Sequence, residues 1–74
     1  MTREEFLKAI DEILGLPTGT LRGPEKLGDF HLWDSMAMVS FMALADSSNG
    51  VTLAPRKLGS CETVDDLLRL AEVK

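Results

Sequence analysis

The chain has 74 residues and a mass of 8.1 kDa, and this length predicts a single domain over residues 1–74. A domain of this size buries only about 60% of the surface that its unfolded chain exposes. Its one cysteine, Cys61, cannot form an internal disulfide, and with the one histidine, His31, it cannot complete a tetrahedral zinc site. The absence of an internal disulfide excludes a disulfide-stapled secreted domain. Stability must therefore come from a well-packed core or a partner.

The charge pattern argues against nucleic-acid binding. Twelve acidic and eight basic residues give a net charge of −4, whereas contacts with phosphates need a basic face. No Lys or Arg occurs between Lys26 and Arg56, a stretch that contains Asp29, Asp34 and Asp46. Such an acidic segment suits a basic partner surface, or it simply keeps a small domain soluble, and both explanations stay open.

The hydropathy pattern gives no sign of a membrane segment. The apolar runs are only a few residues long, far shorter than a membrane span requires. The first residues are polar and charged, unlike a secretory signal. We therefore expect a cytoplasmic protein without membrane insertion.

The first predicted helix begins with a capping box. Thr2 and Glu5 have the required spacing, and Gly15 and Pro17 mark the end of the helix. The polar positions of this helix, including Asp11, are expected to face solvent. Apolar residues recur at helical spacing on the other face: Phe6, Ile10, Ile13 and Leu14.

The next segment, residues 15–33, has no helical period and is predicted to be a long loop held down by its own apolar side chains. The second helix begins at Asp34-Ser35 and is predicted to end at Ala45 or Asp46. One stripe of this helix is expected to face the core: Met38, Phe41, Met42 and Ala45. A second stripe is also apolar: Met36, Val39 and Ala43. Since a small core cannot bury both, the second stripe is predicted to be an interaction surface.

The C-terminal third predicts a short extended segment at residues 51–53 and a brief helix from Pro55 to Leu58. A last helix follows Thr63, which forms a capping box with Asp66. Its buried face comprises Val64, Leu67, Leu68 and Ala71. The predicted fold is therefore all-α, a small bundle of three main helices plus one short helix.

Catalytic chemistry finds little support in the sequence. A hydrolase would need Ser35, His31 and an acid such as Asp29 or Asp34. These residues lie close together along the chain, whereas triads usually converge from distant segments. Cys61 lies just before the last helix and is predicted to be a small core residue, not a reactive thiol.

The residues from Asp34 onward resemble those of a known family. Asp34-Ser35-Met36, followed by Val39 and the run Phe41-Met42-Ala43-Leu44, resembles the Asp-Ser-Leu motif and second helix of acyl carrier proteins. The resemblance covers essentially the whole chain and continues through these residues: Gly50-Val51-Thr52-Leu53, Thr63-Val64 and Leu67-Leu68.

This resemblance implies that Ser35 carries 4′-phosphopantetheine, which a phosphopantetheinyl transferase transfers from coenzyme A. The protein would then be a carrier and not an enzyme: a monomer that holds an acyl group as a thioester and delivers it to acyl-loading and acyl-transferring enzymes.

The resemblance also implies roles for the stripes of the second helix. Asp34 would help to place Ser35 and contact the transferase. Three residues would form the partner-docking stripe: Met36, Val39 and Ala43. Four others would face a core that shelters the acyl chain: Met38, Phe41, Met42 and Ala45. Cys61 occupies a position where the family usually has an apolar core residue, in keeping with an inert thiol.

The chain departs from the family where Leu32-Trp33 replaces a common Gly-x pair, and where the second helix lacks most of its usual acids. Arg56 and Lys57 also place positive charge in the short third helix. These departures favour a dedicated carrier of one specialised lipid or secondary-metabolite pathway over general fatty acid biosynthesis. Two alternatives stay open: a peptidyl or aminoacyl carrier, and a helical interaction module without a prosthetic group.

Overall fold

A computed structural model describes residues 1–73, which form four α-helices. They are α1 (Arg3–Ile13), α2 (Ser35–Asn49), α3 (Pro55–Gly59) and α4 (Val64–Leu70), with a 3-10 turn at Leu27–Asp29 between α1 and α2. Across residues 1–73, β-pairing is limited to one isolated antiparallel bridge, between Lys26 and Thr63. The predicted all-α bundle of three longer helices and one short helix is confirmed.

The helices begin at the predicted capping residues. The Thr2 hydroxyl accepts a hydrogen bond from the Glu5 amide at 3.2 Å, and the Glu5 carboxylate accepts one from the Thr2 amide at 2.9 Å. Thr63 and Asp66 form the same reciprocal pair at the start of α4. These bonds satisfy backbone donors that have no partner within the helix.

Helix α2 is longer than predicted, because residues 47–49, beyond the predicted end at Ala45 or Asp46, continue it. Gly50 then ends the helix in the left-handed conformation, with φ of 67°, and its amide donates to the Asp46 carbonyl at 2.9 Å. The Asn49 side chain donates to the carbonyl of Ala71 at 2.9 Å. This contact beyond α4 gives the polar end of α2 a tertiary partner that local propensity does not reveal.

The core draws on every helix and on the long loop. Phe6 of α1 and Phe41 of α2 are fully buried at its centre, and burial of one such side chain stabilises the fold by about 1.5–3 kcal/mol. The loop contributes Leu21 and Leu27, which are almost fully buried. The other buried apolar residues of this cluster are Ile10, Leu14, Ala45, Leu53, Leu58, Val64, Leu67, Leu68 and Ala71.

The prediction that Asp11 faces solvent is wrong. Its side chain is only 1% exposed, and its carboxylate accepts hydrogen bonds from the amides of Gly19 at 2.8 Å and Leu21 at 3.0 Å. A buried carboxylate needs such partners. Helical spacing assigns Asp11 to the polar face of α1. The loop that follows α1 covers this side chain, and two loop amides donate hydrogen bonds to its carboxylate.

The second half of the loop is fastened to the start of α4. The amide of Leu27 donates to the Glu62 carbonyl at 2.8 Å, and the amide of Val64 donates to the Glu25 carbonyl at 3.0 Å. Gly23 lies beneath the ion pair between Arg3 and Asp65, and a Cβ atom at Gly23 would collide with both side chains. The loop therefore crosses the α1–α4 end of the bundle on a defined path.

We expect Asp11→Ala to lower the free energy of unfolding by about 2–4 kcal/mol, because it leaves the buried amide of Leu21 and the part-buried amide of Gly19 without an acceptor. Asp11→Asn keeps one acceptor oxygen and should cost less. Urea denaturation measures both changes. Glu12→Ala, at the exposed neighbouring position, is the control and should change stability by no more than about 0.5 kcal/mol. Equal stability of Asp11→Ala and wild type would contradict the structural role of Asp11.

Acid should destabilise the fold through three hydrogen-bonded carboxyl groups. Hydrogen bonds from Thr2 lower the pKa of Glu5, and the amides of Glu62 and Thr63 lower the pKa of Asp66. Burial alone would raise the pKa of Glu25, but the amides of Gly23, Glu25 and Arg22 outweigh it and lower that pKa.

A carboxyl group with a lowered folded-state pKa stabilises the protein fully above its unfolded pKa, and this contribution is lost as the pH falls through the folded value. We expect the free energy of unfolding to fall below about pH 4.5, where unfolded carboxyl groups begin to protonate. Urea titrations at a series of pH values measure this loss, and Glu25→Gln should reduce it. A pH profile that is flat down to about pH 3 would contradict the expectation.

Candidate functional site

Ser35 is the first residue of α2, and its side chain is exposed. The capping role belongs to Asp34, whose carboxylate accepts a hydrogen bond from the Ala37 amide at 2.9 Å. Among residues 1–73, the Ser35 hydroxyl has no hydrogen-bond partner within the chain. A free hydroxyl therefore faces solvent at the positive end of a 15-residue helix, where a covalently attached anion is stabilised.

Two successive turns direct Ser35 outward. The Trp33 amide donates to the Phe30 carbonyl at 3.1 Å, and the Asp34 amide donates to the Leu32 carbonyl at 2.9 Å. Phe30 and Trp33 are half-buried and pack against the core. The loop thus reaches α2 as an anchored segment, and Ser35 is the first side chain beyond it.

One stripe of α2 is exposed along its length. Met36 is 78% exposed and Val39 is 65% exposed, and Ala43 is also exposed. Large apolar side chains at such exposure mark candidate interaction surfaces. A shallow groove of about 300 Å³ continues this stripe and is lined by Val39, Met42, Ala43, Asp46, Thr52 and Leu53. The roles of Asp34, Met36, Val39 and Ala43 as partner contacts stay predictions.

The stripe of α2 that was predicted to face the core and shelter an acyl chain does not line a single cavity. Phe41 and Ala45 are fully buried in the packed core, whereas Met38 and Met42 are half-buried and line two different grooves. Ala37 is also buried, although sequence analysis did not assign it to the core, because a small residue between two apolar stripes gives little periodic signal. The proposed acyl pocket is therefore divided in this structure.

A second groove lies between the loop, α2 and the segment around the end of α3. We call it the Trp33 groove. Its volume is about 570 Å³, within the range of small-molecule sites. Its lining comprises Lys26, Leu27, Gly28, Asp29, Trp33, Met38, Gly59, Cys61 and Glu62. Apolar side chains and charged residues both contribute, so the groove can contact an amphipathic ligand.

Cys61 is half-buried at the edge of this groove and also borders a third groove between α3 and α4. Its Sγ lies 3.4 Å from the Lys57 carbonyl, to which it donates a hydrogen bond. Burial raises the pKa of the Cys61 thiol, and the Asp66 carboxylate raises it further. Because the thiolate is the reactive form, Cys61 is poorly suited to nucleophilic catalysis.

The elements of a hydrolase site are not assembled. His31 and Ser35 are both exposed, and no hydrogen bond joins them within residues 1–73. The Asp34 carboxylate caps α2.

Over residues 1–73, no three His, Cys, Asp or Glu side chains cluster closely enough to bind a metal ion. No helix there is both long and apolar enough to cross a membrane.

Comparison with known proteins gives one similarity. The chain is 38% identical over 63 residues to orsellinic acid synthase of Beauveria bassiana (strain ARSEF 2860). The aligned segment covers 85% of this chain but only 3% of that protein. No family model matches the chain, and no solved structure matches it. The chain is therefore similar to one small segment of a far longer biosynthetic protein.

We expect Cys61 to react slowly with iodoacetamide near neutral pH, because its raised pKa keeps the thiol protonated. A peptide with the sequence of residues 57–65 provides the unfolded reference, and mass spectrometry measures both rates. The rate for the folded protein should begin to rise only at a higher pH than the rate for the peptide. Equal rates at every pH would contradict a raised pKa for the half-buried Cys61 thiol.

Proposed function

We propose that the protein is an acyl carrier that bears 4′-phosphopantetheine on Ser35 and presents a thioester-bound acyl group to partner enzymes. The observation that carries this proposal is the exposed hydroxyl of Ser35, free of hydrogen bonds within residues 1–73, at the first position of α2. A residue that served only as a helix cap would have its oxygen bonded to a backbone amide. Here Asp34 makes that bond, so Ser35 is available for modification.

The attachment reaction is group transfer by an external transferase. The Ser35 oxygen forms a bond to the phosphorus of coenzyme A that bears the pantetheine, the bond from that phosphorus to 3′,5′-ADP breaks, and the hydroxyl proton leaves to a base. The chain supplies an accessible nucleophilic oxygen and a helix N-terminus that stabilises the resulting phosphodiester anion. When attached, the group supplies a terminal thiol for thioester chemistry.

The residues around Ser35 suit this group. Asp34 holds the first turn of α2 through the Ala37 amide, so the backbone amides at the helix start stay oriented toward the attached phosphate. The Asp34 side chain caps the helix, and the Ser35 side chain would bear the group. Modification of Ser35 would therefore leave the cap of α2 intact.

The exposed stripe of α2 provides the docking surface in this proposal. Met36 and Val39 would contact the phosphopantetheinyl transferase and the acyl-loading and acyl-transferring enzymes by apolar contact, since α2 has no charged residue between Asp34 and Asp46. The protein itself would catalyse no reaction. Similarity to a segment of orsellinic acid synthase supports a specialised secondary-metabolite pathway.

The same exposed stripe favours a second candidate, a helical interaction module without a prosthetic group. Met36 and Val39 would then bind a partner directly, and Ser35 would have no special role. A peptidyl or aminoacyl carrier would share the Ser35 arm and differ only in its cargo. Modification of Ser35 separates both carriers from the interaction module.

We expect incubation with coenzyme A and a broad-specificity phosphopantetheinyl transferase to add one phosphopantetheine to the intact mass. Ser35→Ala should abolish the gain and lower stability by about 1 kcal/mol or less, because Asp34 still caps α2. Ser40→Ala, at another exposed serine of the same helix, is the matched control and should be modified fully. No gain with several transferases, or a gain that survives in Ser35→Ala, would refute the proposal.

A further inference from the structure

We propose that Asn49-Gly50 is a deamidation site that the folded domain protects, and that its conversion releases the end of α2 from the segment after α4. This inference is independent of the proposed function. It rests on the residue pair that ends α2, on the hydrogen bonds that hold both residues, and on the charges near the Asn49 side chain.

The reaction needs only an asparagine, the backbone nitrogen that follows it, and water. The Gly50 nitrogen forms a bond to Cγ of Asn49, the bond from Cγ to Nδ2 breaks, and the proton of the Gly50 nitrogen leaves with the amide group as ammonia. Water then opens the cyclic imide at one of its two carbonyls, which gives aspartate or isoaspartate. Asparagine is thermolabile through this chemistry.

The residue after Asn49 favours the attack. Glycine has no Cβ atom that would hinder its own nitrogen. Gly50 is exposed, and the position of a Cβ atom on it has no other atom within 4 Å. Water can therefore reach the imide once it forms. The same glycine that ends α2 in the left-handed conformation thus supplies an unhindered nucleophile.

The folded helix holds the two reacting groups in other contacts. The Gly50 amide donates to the Asp46 carbonyl at 2.9 Å. The half-buried Asn49 side chain donates to the Ala71 carbonyl at 2.9 Å. The ring can form only when both bonds open and Asn49 leaves its helical conformation. Deamidation should therefore proceed through local opening of the last turn of α2.

The product could not restore the contact with the segment after α4. A carboxylate is an acceptor only, so it could not donate to the Ala71 carbonyl. It would also place negative charge at the C-terminal end of α2, where the helix dipole opposes it. The groove that Asn49 lines already contains the Glu72 side chain, so two like charges would share it. Isoaspartate would further lengthen the backbone at the helix end.

The sequence makes the reaction easy to follow. Asn49 is the only asparagine, and the chain has no glutamine, so any deamidation measured by intact mass occurs at Asn49. At mildly alkaline pH, we expect the folded chain to react at least about tenfold more slowly than a peptide of residues 44–54, an opening free energy of about 1.4 kcal/mol. Complete unfolding in urea should abolish this difference. Asn49→Gln, which would need a larger ring, should gain no mass on the same timescale.

A set of variants measures the release of α2. Asn49→Asp, which has the side chain of one product, should lower the urea midpoint more than Asn49→Ala, which removes the donor without adding charge. Ser47→Asp, at an exposed position of the same turn, is the matched control and should lower the midpoint least. Glu72→Gln combined with Asn49→Asp should recover part of the loss, because it removes the second carboxylate from the groove.

Each part of the proposal has an outcome that would overturn it. A peptide that gains no mass would overturn the site itself. Equal rates in the folded chain and the peptide would overturn its protection by the fold. A midpoint for Asn49→Asp no lower than that for Ser47→Asp would overturn the release of α2, whereas failure of Asn49→Asp to fold, with Ser47→Asp folded, would support it.

Discussion

The buried carboxylate of Asp11 is the constraint on which the arrangement depends. It accepts the amides of Gly19 and Leu21 and so fixes the first half of a long loop to α1. Leu21, the residue at the second of these amides, is then buried in the core. Without this acceptor, the loop would bring the unpaired amide of Leu21 into the apolar interior and leave the part-buried amide of Gly19 without a partner in the chain. The path that carries the chain to Trp33 and Ser35 begins at this contact.

The second half of the loop is held by backbone hydrogen bonds to the start of α4, and these bonds help to fix where α2 begins. The Val64 and Leu27 amides join the loop to the start of α4, and the short turns at Trp33 and Asp34 complete the approach. The apolar composition of α2 then has a simple explanation. One face of the helix packs Phe41 and Ala45 into the core, and the other face leaves Met36 and Val39 in solvent. A domain of this size cannot cover a second apolar face, so the exposure follows from length as well as composition.

The amino-acid sequence predicts the elements that are governed by local rules. The capping residues Thr2 and Thr63 and the start of α2 follow from side-chain oxygens and helical periodicity. The burial of Asp11 and the extension of α2 to Asn49 could not be predicted in the same way, because their partners lie outside the helix that contains each residue, 8 to 22 positions away. The same limit applies to the groove residues, which three separate segments contribute. The start of α2 at Asp34-Ser35 follows from a local rule, whereas the surroundings of Trp33 depend on tertiary packing.

The helix cap and the proposed attachment site are different residues, Asp34 and Ser35, and this has a consequence for a carrier. If one side chain both capped the helix and bore the modification, attachment would remove a hydrogen bond from the first turn of α2 and weaken the docking surface that follows it. In this chain the Asp34 bond to the Ala37 amide does not involve the Ser35 oxygen. Under the proposed function, the modified and unmodified forms would then share one helix geometry, and partner enzymes would distinguish them by the arm itself.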